Sequence, residues 1–168
     1  ILVTIVGLVL SCLWLNGKSG AYLGFLKIWV DNIRDLGYFK ALKYNLGDYN
    51  IPYMVILIFI SFIKGAPLYP IKIVSIIFDF ICAIYSAKLV YKLTNKKILA
   101  LVTYGVLLFI PTMMVNGAMW AQCDSIYTAF ILMSLDYLID KKYIKSFIFL
   151  GISVAFKLQF IFVLPLYV

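Results

Sequence analysis

Long apolar stretches alternate with short polar breaks along this chain, and the apolar runs cover residues 1–15, 51–63, 70–93, 98–115, 119–139 and 144–168. A helix needs about 20 apolar residues to cross a hydrocarbon core of about 30 Å. The run "IPYMVILIFISFI" falls short, with thirteen residues between Asn50 and Lys64. That length suits a re-entrant or interfacial segment, so the pattern predicts about five spanning helices.

Charge supports the same count. If 51–63 does not cross, the linkers carrying Lys92, Lys96, Lys97 and Lys141, Lys142, Lys145 share one side, and the long segment 16–69 falls on the other. Short lysine-rich linkers mark the cytoplasmic face, which puts 16–69 outside, together with the lysine-free turn "PTMMVNGAMWAQCDS". Within the outer segment, residues 24–36 place Phe25, Ile28, Trp29, Ile33 and Leu36 at helical spacing, with Lys27, Asp31, Arg34 and Asp35 largely opposite. This reads as an amphipathic helix lying in the interface and ended by Gly37. Pro52 then opens a short membrane-embedded helix over 51–63.

Composition strengthens the membrane reading. Hydrophobic residues make up 65% of the chain and charged ones 13%, at a mean hydropathy of +1.04. A soluble domain is roughly 45–50% apolar and 25% charged. The net charge of +8, from fifteen Lys and Arg against seven Asp, reports orientation in such a chain, and no basic stripe points to nucleic acid. The terminal apolar runs read as cut, so residues 1–168 are expected to form a single transmembrane module of a longer protein. An integral membrane protein of the bacterial plasma membrane is expected, with its site on the outer face.

Some chemistry is excluded by absence from the sequence. Without His or Glu there is no Ser-His-Asp triad, no HExxH zinc site and no pair of glutamates. Cys12, Cys82 and Cys123 have no metal-ligand spacing and read as small buried thiols. Asp and Gln oxygens leave a divalent metal open, but no DxD occurs and no cofactor is called for.

The remaining polar residues gather toward the outer side. Asp79 sits nine residues past Pro70, about 13 Å down its helix. Asn116, Trp120, Gln122 and Asp124 crowd the outer end of the next hairpin. Lys157 and Gln159 lie in the outer half of the last span, and Asp31 and Asp48 belong to the outer segment. One of the acids could simply pair with Lys157. Several polar groups at one membrane level are explained more economically by a polar cavity open to the outside.

The blocks "YNIPYM", "IKIVSIIFDFICAIY", "NGAMWAQCDSIYTAFILMSL" and "GISVAFKLQFIFVLP", in this order, carry a resemblance. Together they resemble the bacterial relatives of GPI mannosyltransferases, within the GT-C superfamily of polytopic glycosyltransferases. The resemblance implies an all-α polytopic membrane protein, here the N-terminal transmembrane module, with membrane-parallel helices in the first outer loop. It implies inverting transfer of a hexose from a polyprenyl-phosphate donor to a glycan or lipid acceptor that the sequence does not identify. Transferred residue by residue, Lys157, with Gln159, faces the donor phosphate. Asp124, Gln122, Trp120 and Asn116 wall the sugar pocket, and Asp79 orients Lys157 or shapes that wall.

The chain departs from the pattern at one position. Where the family's first outer loop carries its catalytic acid before an aromatic residue, "GKSGAYLGF" has Ala21. Three accounts stay open: an engineered inactivating substitution, a natural non-catalytic relative, or another acid such as Asp31 or Asp48 in its place. Two other functions fit the same features. A lipid-linked sugar flippase would also use intramembrane Asp and Lys, and a non-catalytic subunit of a membrane glycosylation complex would tolerate Ala21.

Overall fold

The computed structural model describes residues 1–167 and is all-helical, with no strand among the described residues. The α-helices are α1 (Leu2–Leu13), α2 (Lys27–Asp35), α3 (Ile51–Ser61), α4 (Leu68–Thr94), α5 (Lys97–Phe109), α6 (Pro111–Met114), α7 (Asp124–Ile139) and α8 (Tyr143–Phe156). Two π-helical turns, Tyr22–Leu26 and Val115–Met119, and two 3₁₀ stretches, Tyr38–Lys43 and Leu158–Tyr167, complete the path.

Of these, α4 alone is long and apolar enough to cross a membrane by itself, and α5 with Pro111–Met119 makes a second candidate bent by 47°. The bend has a local cause. Ile110 precedes Pro111 and is pushed to ψ 126°, since a proline disfavours helical backbone in the residue before it.

Side-chain contacts fix the helix directions. Lys88 and Lys92 of α4 reach Asp136 of α7, while Ser75 meets Ser125, so α4 and α7 run parallel. By the same reasoning Thr4 on Tyr104 and Gly7 against Leu108 set α1 parallel to α5. The short linkers between α4 and α5 and between α7 and α8 therefore share one end of the bundle. There Lys92 bridges Asp136 at 2.5 Å and Asp140 at 2.6 Å, and Lys88 adds a 2.6 Å contact to the fully buried Asp136.

The opposite end carries the segment between α1 and α4. Here Tyr22–Leu26 runs directly into α2, and Gly37 ends that helix at φ +84°, a left-handed conformation that glycine adopts without strain. A hairpin of α2 and α3 buries Leu26, Trp29, Val30, Ile33, Leu57 and Ile58 against Ile71 of α4 and Ile126 of α7. The expected apolar face of 24–36 is rotated slightly: Phe25 and Ile28 are exposed, and Tyr22, Leu26 and Val30 take the interior. Tyr22, Leu26, Trp29, Val30 and Ile33 form one stripe at helical spacing that runs from the π turn into α2.

Two cations tie this end together through backbone carbonyls. Fully buried Lys72 donates to Trp14 O at 2.7 Å and Gly17 O at 2.6 Å, holding the exit of α1. Arg34 reaches Ser61 O, Ile63 O and Gly65 O just past the end of α3. In both cases a cation satisfies carbonyls left open at a helix C-terminus.

Candidate functional site

The site forms where the chain breaks helix. At the end of α8, Lys157 adopts φ −156° and ψ 140°, and the expected continuous helix over 144–168 stops there before resuming as 3₁₀ turns. The extended residue carries its side chain to Asp124, with which it forms a close ion pair. Asp124 opens α7, where the helix dipole favours a carboxylate, and its other oxygen accepts a 3.1 Å bond from Asn116 Nδ2.

The segment 119–123, expected to open an α-helix, instead ends a π turn and then makes a tight bend. Ala121 is fully buried at φ +61°, an uncommon region for a residue with a Cβ. The bend is held from both sides: Trp120 O accepts from Ser19 Oγ at 2.9 Å, and Gln122 O accepts from Ser75 Oγ at 2.8 Å. Those bonds aim the Gln122 side chain toward the α2–α3 hairpin, where its Oε1 accepts from Tyr49 OH at 2.9 Å.

Tyr49 also flanks the cation. Its ring centroid lies 5.6 Å from Lys157 Nζ and that of Tyr127 lies 5.7 Å away, so two aromatic faces stabilise the ammonium. Burial, reinforced by the nearby Cys123 and Asp124, raises the Tyr49 phenol above its ordinary value, and the hydroxyl stays a donor at neutral pH.

A cavity of about 650 Å³ opens beside this cluster. Its polar wall is Asp48, Tyr49, Asn50, Gln122, Lys157 and Gln159; its apolar wall includes Phe25, Trp29, Phe156, Ile161 and Phe162, and Ala21 lines it as well. A second cavity of about 460 Å³ shares Ala21 and Gln122 with the first and is bounded by Lys18, Ser19, Met119 and Trp120. A third, about 310 Å³, lies behind Asp124 and holds Asp79, Asn116, Ser125 and Thr128.

The expected residues are thus only partly gathered. Lys157, Gln159, Gln122 and Ala21 share the large cavity, and Asp124 with Asn116 stands directly behind Lys157. Trp120 lies instead in the second cavity, because the Ala121 bend turns it away from Gln122. Asp79 does not orient Lys157: it sits in the third cavity with its carboxylate pressed on Gly117, while Asp124 takes the lysine. Asp31 lies on the outer face of α2, paired with Lys27 at 3.3 Å and Arg34 at 3.5 Å, and lines none of these cavities. Cys82 and Cys123 are buried as expected, whereas Cys12 is exposed.

Tyr49 and Tyr127 join the site without having been singled out as its residues, while Asp48, weighed from the sequence as a replacement acid, lines the large cavity. The signal for Tyr49 was present in "GDYNIPY", a turn placed just before the Pro52 helix start. No group of three or more metal-ligating residues occurs among the described residues. No protein-family model, curated protein or solved structure matches this chain.

Proposed function

We propose that the chain is a membrane module that binds a polyprenyl-phosphate-linked hexose and transfers the sugar to an acceptor at the outer face. The observation that carries this reading is the large cavity itself. A lysine held between two aromatic rings stands where a polar wall meets an apolar one, and that pairing fits an amphiphile with an anionic head group and an isoprenoid tail. Donor phosphate replaces Asp124 as the partner of Lys157. Gln122, on the polar wall of the cavity, then offers an acceptor and donors to sugar hydroxyls, while Asp124 stays held by Asn116 behind the lysine.

A polytopic membrane location is supported by how the helices pack. Away from the α2–α3 hairpin, serine bonds join α7 and α8 beside stacked aromatics: Ser134 and Ser146 exchange bonds at 2.6 and 2.9 Å, Ser153 donates to Tyr127 O, and Phe130 packs on Phe149 and Phe156. Small residues with interhelical hydroxyl bonds are how helices associate in lipid, where apolar side chains gain nothing by facing inward. Many large apolar side chains also point outward, among them Ile5, Val9, Ile73, Ile77, Ile84, Leu101, Val102, Phe147 and Ile148. A belt this wide on a soluble surface would be an aggregation hazard.

The test is reconstitution of the full-length protein in vesicles with labelled polyprenyl-phosphate mannose, glucose and galactose. Release of polyprenyl phosphate with transfer to an acceptor supports the enzyme. Movement of intact sugar lipid across the bilayer would favour the flippase, and failure to bind any of the three refutes the reading.

A further inference from the structure

Inverting sugar transfer needs a group that takes the proton of the attacking hydroxyl, and Ala21 has none to offer. This inference rests on the transfer reading above. Of the carboxylates among the described residues, Asp48 is the one that lines the large cavity, alongside Ala21 and Lys157. It makes no ion pair or side-chain hydrogen bond among the described residues, so its oxygens are available.

The turn that presents it is fixed on both sides. A Cβ on Gly47 would come within 2.7 Å of the Trp29 ring, so the backbone there lies directly on the indole and only glycine fits. On the other side Tyr49 is anchored by its bond to Gln122 and packs edge-on against Trp29 at 5.5 Å between centroids. An acid between two anchored neighbours is presented at a set place in the cavity. Asp31, the other acid of the outer segment weighed for this task, is held by Lys27 and Arg34 on a different face.

The geometry points to Asp48 as the general base that stands in for the missing acid at position 21. The acceptor hydroxyl oxygen attacks the anomeric carbon on the face opposite the phosphate as its proton passes to the Asp48 carboxylate. The bond from the anomeric carbon to the phosphate oxygen breaks, its electron pair leaves with polyprenyl phosphate, and Asp48 returns the proton to water.

The experiment compares the full-length protein with Asp48→Asn and Asp48→Glu, using the polyprenyl-phosphate hexose that the wild type turns over best. Asp48→Asn should lower turnover by roughly 10²- to 10⁴-fold, the usual contribution of a general base, with donor binding unchanged. Asp48→Glu, which keeps a carboxylate in the cavity, should retain much of the turnover that Asp48→Asn loses. Adding Ala21→Asp to Asp48→Asn should recover turnover. Unchanged turnover in Asp48→Asn beside a wild type that transfers sugar overturns the role of Asp48 alone. A wild type that binds donor without transferring it overturns the transfer step and this inference together. A wild type that binds none of the sugar lipids overturns the transfer reading and this inference together.

Discussion

Replacing Lys157 by Gln keeps most of the side chain's length and removes its charge, which isolates the contact on which donor binding depends. The Lys157 side chain is 22% exposed and that of its Asp124 partner 33%, so the pair is partly screened. At an effective dielectric of about 20, a phosphate oxygen about 4 Å from the ammonium is attracted by about 4 kcal/mol. The Asp124 contact given up on binding offsets much of this. What remains is the roughly 1.5–3 kcal/mol of a hydrogen bond to a charged group, a loss of roughly 10- to 150-fold in affinity. Binding of a polyprenyl-phosphate hexose in detergent or nanodiscs should weaken by that factor in Lys157→Gln, while a neutral polyprenyl hexoside binds both forms alike. Equal affinity of the two proteins for the phosphate lipid would refute the assignment of Lys157.

Further outcomes concern stability. Lys157→Ala leaves the Asp124 carboxylate with Asn116 alone and should cost about 1–3 kcal/mol in thermal unfolding, a loss that adding Asp124→Asn reduces by removing the unpaired charge. Gly117→Ala drives a Cβ into the Asp79 carboxylate and should cost about 1–3 kcal/mol, with Asp79→Ser in the same chain restoring much of it. At the lysine-rich end, Asp136→Asn should cost about 1–3 kcal/mol by taking a charged acceptor from Lys88 and Lys92, of which Lys92 keeps Asp140; Lys88→Met alone should cost less, because Lys92 still holds Asp136.

Local signals carried much of the fold. Gly37 and Pro52 punctuate the chain where α2 ends and α3 begins, and the short run 51–63 forms a helix of only 51–61, packed into a hairpin. The gathering of the two lysine linkers at one end of the bundle follows from the order of apolar runs. What could not be read is where tertiary contacts override an apolar run. No Gly or Pro marks the break at Lys157; the helix stops there as the lysine pairs with a carboxylate from another helix. The start of α7 at Asp124, instead of five residues earlier, depends on hydroxyls of Ser19 and Ser75 that are remote in sequence. That bend also decides that Gln122 faces the large cavity and Trp120 the smaller one. The Pro111 bend was missed in the run 98–115, although the residue before a proline is the place where a helix breaks. Spacing along the chain offered both Asp79 and Asp124 as partners for Lys157, and only packing distinguishes them.

The central claim is that the cavity beside Lys157 holds a polyprenyl-phosphate sugar. Photo-crosslinking tests it most directly, using a polyprenyl-phosphate hexose with a diazirine in the first isoprene units and mapping the labelled peptides. Label is expected on residues 156–162, lost on competition with unmodified lipid and in Lys157→Gln. Label spread over outward-facing residues such as Ile5, Ile77 and Leu101, indifferent to competitor and to the substitution, would contradict it.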